Sequence, residues 1–430
     1  LSKVIFAALV GLVVLTAIPY GTIEPWWKAA FVCAVFGISI LAIIEMAISR
    51  SHDVGPRTIL LPMLALAAFA FMQTIPIGSA GSLTQLPPWH AISADPYQTR
   101  FFVLQILALT ACLALLYRYA NSEGRMQVLI HVVIAVAVAS AIFGILRDNS
   151  QQGQGFVLPL LKDRQGFGQF VNKNHFAYLM EMGFGLGLGM ILGRGNRRDR
   201  LMIYVALLFP IWIALVLSNS RGGIVAMLTQ IVVAALWLVR QRVALKVALM
   251  VVLIIGVLLG TLWVGGDRLV TNIESARADF AGDTTRDGAS RNEIWRATLK
   301  MFAAHPITGV GFGAYWIGIT AYHDASGSLT PQEAHNEYLE VLSSGGLFGV
   351  VIVVLFAVAV FRKVQENLQR DHGFIRAVRF GAVLGIVGVL VHSLVDFGLH
   401  LLSNALLFIV LIMLATVSHE KIIDPGVQQQ

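Results

Sequence analysis

Residues 266–340, GDRLVTNIESARADFAGDTTRDGASRNEIWRATLKMFAAHPITGVGFGAYWIGITAYHDASGSLTPQEAHNEYLE, form the only extended hydrophilic stretch between apolar segments of this chain. A polar stretch this long inside a compact protein is either functional or disordered. Trp295, Phe302, Phe312, Tyr315 and Trp316 give it too many large apolar side chains for disorder. The expectation is therefore a folded extracytoplasmic piece that packs down onto a membrane domain and carries a site.

The surroundings of that stretch fix the fold class. Hydrophobic residues make up 57% of the 430 positions and charged residues only 13%, and the mean hydropathy is +0.75, far from a soluble composition. A spanning helix needs about 17–25 mostly apolar residues. Twelve such segments are expected, near 4–20, 27–48, 58–76, 101–119, 127–146, 174–193, 201–217, 221–239, 244–265, 343–361, 376–396 and 400–418. Segment 4–20 is read as a helix and not as a signal peptide, because no small-residue cleavage site follows it. The fold expected is an all-α polytopic membrane protein with about twelve transmembrane helices and one long periplasmic loop that itself contains helices. It divides into helices 1–9 over 1–265, the loop subdomain over 266–342, and helices 10–12 with a cytoplasmic tail over 343–430. Cys33 and Cys112 both fall in apolar segments, which leaves neither a disulfide framework nor a cysteine metal site.

Sides follow from the basic residues. With the N-terminus cytoplasmic, the inner loops hold Lys3, Arg50, Arg57, Arg118, Arg125, Arg194, Arg197, Arg198, Arg200, Arg240, Arg242, Lys246, Arg362, Lys363, Arg370, Arg376, Arg379 and Lys421, the majority of the 31 lysines and arginines. Long loops are discounted in this comparison, so both termini are expected inside and 266–342 outside. The formal net charge of +7 is then explained by the inner loops and calls for no nucleic-acid partner. Basic residues left on the outside oppose the insertion bias. They are Lys28, Arg100, Arg147, Lys162, Arg164, Lys173 and Arg221, with Arg268, Arg277, Arg286, Arg291, Arg296 and Lys300 in the long loop. For Lys28, Arg100 and Arg147 a plain reading suffices, in which they reach up to lipid phosphates. Convergence of the others points to an anionic substrate group at the outer surface.

Four motifs carry that idea. Ser218-Asn219-Ser220-Arg221-Gly222-Gly223 joins the seventh and eighth helices. A helix start offers unpaired N–H groups to a phosphate, glycine allows close approach, and Arg221 adds a forked donor; a simple capped turn is the plainer alternative. Ser290-Arg291-Asn292-Glu293-Ile294-Trp295 opens an amphipathic helix that should stop at His305-Pro306. Gly309-Val310-Gly311-Phe312-Gly313 lacks the dinucleotide spacing and reads as a tight connection lying flat on the membrane domain. Ala334-His335-Asn336-Glu337-Tyr338-Leu339 leads into the tenth helix, and His335, Leu339 and Leu342 are expected on one helical face. An imidazole there can take a proton near neutral pH.

Two further stretches lie on the same side. Phe170-Val171-Asn172-Lys173-Asn174-His175-Phe176 starts the sixth helix, after a Gly/Gln-rich loop with Lys162 and Arg164. His392-Ser393-Leu394-Val395-Asp396 is expected to end the eleventh helix, with His392 and Asp396 on one face; ionisable residues at membrane depth are functional candidates by default. No set has the spacing of a zinc site, so no metal is expected.

Taken together, Ser-x-Ser-Arg-Gly at 218–222, Arg291 with Trp295, Gly-x-Gly-x-Gly at 309–313, His-Asn-x-x-Leu at 335–339, Phe-Val-Asn-Lys-Asn-His-Phe-Ala at 170–177 and His-Ser-Leu-Val-Asp-Phe at 392–397 resemble the O-antigen ligase and O-antigen polymerase superfamily of bacterial membrane glycosyltransferases. The resemblance spans roughly residues 160–400. It implies glycan transfer from undecaprenyl pyrophosphate to an acceptor hydroxyl at the periplasmic face of the inner membrane, with neither metal nor cofactor. His335 matches the family's key histidine, as base or orienting donor. Arg221 and Arg291 match its key arginines, which neutralise the departing pyrophosphate. Ser218, Ser220, Gly222, Lys162, Arg164, Asn172, Lys173, Asn174, His175, Trp295, Asn336, His392 and Asp396 are the further substrate-binding candidates. Within the family the acceptor is the lipid A core for a ligase, another repeat unit for a polymerase, or a protein such as a pilin. The long loop and the helix number resemble the ligase most. A lipid-linked glycan transporter is the reading from a different class, and it would require basic residues at mid-helix in two related halves.

Overall fold

The computed structural model describes residues 1–18, 20–51, 54–76, 91–150, 166–193, 198–240, 291–323 and 331–418. The expected segment 244–265, Lys162, Arg164 and the first part of the long loop lie outside these residues. Among the described residues eight helices precede the loop: α1 Ser2–Ala17, α2 Pro25–Ser49, α3 Arg57–Gln73, α4 Pro96–Tyr119, α5 Glu123–Ser150, α6 Lys173–Gly193, α7 Arg198–Leu217 and α8 Arg221–Arg240. Helix α9, Arg291–Ala304, belongs to the loop, followed by a single helical turn at Tyr315–Gly318; α10 Glu337–Arg370, α11 Gly373–His392 and α12 Leu402–Thr416 complete the bundle. Among the described residues seven helices are long and apolar enough to cross a membrane, and four shorter apolar ones accompany them. The protein is an all-α, multi-pass membrane protein.

Helix α6 forms the centre of the bundle, because its glycines let neighbouring backbones close in. A Cβ placed on Gly185, Gly189 or Gly193 would lie 2.2–2.4 Å from Gly385, Gly381 or Ala377 of α11. The two rows repeat every four residues and run in opposite directions, the small-xxx-small arrangement through which membrane helices pack by backbone contact. On its other faces, Gly183 abuts Ala137 of α5 and Gly187 abuts Leu208 of α7.

At one end of the bundle buried polar contacts close the structure. Arg379 pairs with Asp371 and donates to the Val417 carbonyl at 2.9 Å, so a cation satisfies the open C-terminus of α12. Arg118 pairs with Glu45 at 2.8 Å, and the Tyr119 hydroxyl donates to the same carboxylate at 2.7 Å. At the opposite end the starts of α6, α8 and α10 meet the end of α11, and there the loop docks.

Docking of the loop explains the Gly-x-Gly-x-Gly motif. Gly309, Gly311 and Gly313 all have positive φ, where a side chain would be strained. Val310 and Gly311 donate to the carbonyls of Ser343 and Ser344 at 3.0 and 2.9 Å, and Leu347 and Phe348 donate to those of Pro306 and Ile307. These bonds are available because α10 breaks at Gly346 (φ 59°, ψ −164°). The tenth helix thus begins at Glu337, six residues before the expected 343, and is two pieces clasped by the loop. Gln73, fully buried on α3, donates to the carbonyls of Thr308 and Ser344 and accepts from Phe312 N–H. Phe312 stacks on Phe102 of α4, centroids 4.8 Å apart. The connection does lie against the membrane domain.

Two further expectations change. Helix α11 stops at His392, four residues short of 396, because the next carbonyls are drawn to α10: Glu337 N–H donates to Ser393 O at 3.0 Å and the Asn336 amide to Leu394 O at 2.8 Å. Arg147 is buried and donates to Gly168 O at 2.8 Å, so it is not reaching for lipid.

Candidate functional site

Arg221, the first residue of α8, follows Ser220, whose hydroxyl accepts from Gly223 N–H at 3.2 Å as the cap. The same hydroxyl donates to Asn174 Oδ1 at 2.9 Å, which ties the start of α8 to the start of α6. Asn174 N–H donates to Asn172 Oδ1 at 2.9 Å, and the Asn174 side-chain amide donates to Asp396. Asp396 is fully buried. It accepts from Phe397 N–H at 2.8 Å, lies 3.7 Å from His175 Nε2, and pairs with Arg291 of α9 at 3.8 Å. One carboxylate therefore gathers α6, the α11–α12 connection and the loop helix. Lys173 lies within electrostatic reach of both Arg221 and Arg291. Three cations from three separate elements converge at this end, with Asp396 behind them.

His335 stands beside that cluster, in a way the helical reading did not foresee. Its backbone is left-handed (φ 50°), a conformation uncommon outside glycine that histidine, asparagine and aspartate adopt more readily than other residues. Asn336, not His335, begins the helix: its Oδ1 accepts from Tyr338 and Leu339 N–H, both at 3.0 Å. His335 thus lies off the Leu339–Leu342 face and turns toward Phe397, ring centroids 4.8 Å apart, with His175 on the same phenyl ring at 4.9 Å. Burial holds the His335 imidazole below its ordinary range; Asp396 and Glu333 oppose this and Arg291 reinforces it. A neutral imidazole at pH 7 is the form that can accept a proton. Trp295 braces the segment through its indole N–H, which donates to Ala334 O at 3.0 Å.

Other sequence candidates have internal partners. The Ser218 hydroxyl donates to Leu215 O at 2.7 Å and is buried. His392 and Asp396 diverge once α11 ends: the His392 ring turns inward to Glu181 of α6, with Nδ1 2.6 Å from Oε1. The space that Gly222 leaves open is filled by that ring. Glu181 escaped the motif reading, although a lone carboxylate in the run YLMEMGFG was the available signal.

A second unforeseen group also touches Phe397, whose ring lies 5.7 Å from that of His400. His400 Nδ1 is 3.3 Å from Glu333, and its Nε2 is 3.3 Å from Glu337 and 3.5 Å from Glu340. Burial disfavours a charged His400, but Glu340, Glu333 and Glu337 outweigh it and hold the imidazolium well above its usual range. Burial likewise opposes charge on Glu333, yet His400 brings its carboxyl down to about 2. Glu333, Glu340 and His400 present atoms close enough to hold a metal ion, and both carboxylates pair with the imidazole. The spacing of three glutamates at 333, 337 and 340 was the signal in the sequence.

With this geometry in view, residues 203–354 match the family model described as O-Antigen ligase. The matched region contains Arg221, Arg291 and His335 and stops before Asp396. The chain is also similar to the exopolysaccharide production protein ExoQ of Rhizobium meliloti (strain 1021), 27% identical over 131 residues. That similarity covers 27% of this chain and 29% of ExoQ.

Proposed function

We propose, from a chain that belongs to the O-antigen ligase and O-antigen polymerase superfamily, that the protein transfers a glycan from undecaprenyl pyrophosphate to a hydroxyl of the lipid A core. The observation that carries this reading is the convergence of Arg221, Arg291 and Lys173 beside His335, at one end of a membrane bundle. A diphosphate needs delocalised positive charge in the transition state, and guanidinium groups supply it where a divalent ion does so elsewhere. The acceptor oxygen attacks the anomeric carbon opposite the diphosphate. Its proton passes to His335, the bond to the diphosphate oxygen breaks with both electrons leaving on the diphosphate, and the anomeric configuration inverts. The bundle lies in the inner membrane with both termini cytoplasmic and the site facing the periplasm, in agreement with the basic residues of the inner loops.

The match to ExoQ favours a second reading, polymerisation of an exopolysaccharide at the same site with a repeat unit as acceptor. Purified protein, undecaprenyl-pyrophosphate glycan and either a lipid A core or a second repeat unit should give product without an energy source, and the productive acceptor distinguishes the two. Absence of product with any hydroxyl acceptor, together with glycan movement across vesicles, would establish a transporter instead. Transfer should persist in a chelator; activity lost to EDTA and restored by Mg²⁺ would overturn the role given to the arginines.

A further inference from the structure

Behind the cationic cluster lies a buried pair of ionisable groups that the proposed transfer reaction does not use. Glu181 is fully buried and His392 is 1% exposed, and they meet at 2.6 Å through Oε1 and Nδ1. Among the described residues their outer atoms, Glu181 Oε2 and His392 Nε2, have no hydrogen-bond partner. The imidazole lies flat on the Tyr178 ring, centroids 4.3 Å apart and planes 17° from parallel, while the Tyr178 hydroxyl bonds to Ser393 at 3.2 Å. Its opposite edge presses on the first turn of α8. A Cβ on Gly222 would lie 2.4 Å from His392 Cδ2 and 2.5 Å from Nε2, so only glycine permits the contact.

Breaking a charged or strongly hydrogen-bonded pair in a membrane interior is costly, and such groups are retained where they do something. Gly222 directly follows Arg221, so whatever sets the Gly222 backbone sets the point from which the guanidinium reaches. We propose that Glu181 and His392 form a positioning dyad: the carboxylate holds the imidazole by Nδ1, and the imidazole, wedged between Tyr178 and Gly222, fixes the first turn of α8 and thereby aims Arg221 at the diphosphate. The inference rests on the diphosphate reading of the site. It adds two residues, 211 positions apart in the chain, that touch neither donor nor acceptor and act through Arg221.

A double-mutant cycle on ligand binding tests it. The probe is farnesyl diphosphate, titrated against the purified full chain in detergent, with thermal unfolding recorded for each variant. His392→Gln keeps a donor for Glu181 but loses the flat ring; Gly222→Ala keeps the dyad but pushes the turn away, and serves if the first variant does not fold. Each should weaken binding about tenfold in the native background and less than twofold in the Arg221→Ala background, and raise the donor KM while the acceptor KM holds. Glu181→Gln, which can still accept from Nδ1, should bind within threefold of native, whereas Glu181→Ala should match His392→Gln. Equal losses in both backgrounds, or Glu181→Gln as damaging as Glu181→Ala, would overturn the positioning role alone. If Arg221→Ala itself binds like the native protein, the diphosphate reading falls and the dyad's role falls with it.

Discussion

Asp396→Asn is the most informative single change at the site, because the buried carboxylate serves several partners at once. Both of its oxygens accept hydrogen bonds, one from Phe397 N–H and one from the Asn174 amide. An asparagine can replace only one, so a buried donor is left facing an NH₂ group, at a cost of about 1–3 kcal/mol in stability. The Arg291 pair is lost as well. Unit charges 3.8 Å apart interact by about 4 kcal/mol at an effective dielectric of about 20. Arg291 is 29% exposed, and water recovers part of this, which leaves roughly 1–3 kcal/mol of positioning energy. Two effects on the reaction then oppose one another. Removing a negative charge makes the site more attractive to a diphosphate, whereas freeing Arg291 lets the transition-state contact wander, and misplacement of that kind costs on the order of a hundredfold in rate. Asp396 is buried behind the arginine, so the second effect should dominate turnover and the first should offset any loss of affinity. Steady-state kinetics with a polyprenyl-diphosphate glycan should therefore show kcat down ten- to a hundredfold with donor KM within threefold of native. An unchanged kcat, or a KM raised tenfold at constant kcat, would refute the argument, since either result would mean that Asp396 is not holding Arg291 for the transition state.

The other predictions concern pH and packing. Because burial lowers the pKa of His335, its neutral form persists below the ordinary histidine value of about 6.5; kcat/KM should show an acid limb under that value, and His335→Ala should reduce transfer by at least 10²-fold. The raised pKa of His400 has the opposite sign: its ion pairs contribute stability that is complete below about 6.5 and is lost as pH rises through the raised value. A falling thermal midpoint between neutral and alkaline pH, absent in His400→Gln, checks this. Gly189→Leu would set a Cβ 2.2 Å from Gly381 Cα, against a normal separation of about 3.5–4.0 Å, and should abolish accumulation of folded protein. Gly11→Ala, with nothing within 4 Å, should be neutral or stabilising, as read by thermal unfolding in detergent.

The membrane fold was legible because a bilayer imposes a local rule. Each span must be apolar over its own length and close its own hydrogen bonds, so contiguous composition is enough to find it; the expected segments inside the described residues fall within about five positions of the helices, except α10, which extends well past the expected 343–361 at both ends. Where boundaries slipped, non-local partners were responsible. Helix α11 ends at His392 because Asn336 and Glu337 take its next carbonyls, and α10 starts early because Asn336 caps it. His335 could not be assigned to its place from helical periodicity, since its positive φ puts it outside the helix altogether.

By itself, then, the sequence determined the class of the protein, the approximate positions of its described spans and some of the residues that meet at the candidate site, because hydropathy, charge bias and short motifs are properties of neighbours in the chain. Tertiary structure decided which residues meet, including Glu181 and His400, which no motif had marked. Asp396 finding Arg291 and Asn174, Glu181 finding His392, and His400 gathering three glutamates are meetings between different elements. They arise because close-packed glycine faces and a clasped break in α10 bring distant helix ends together, and no local pattern encodes that distance.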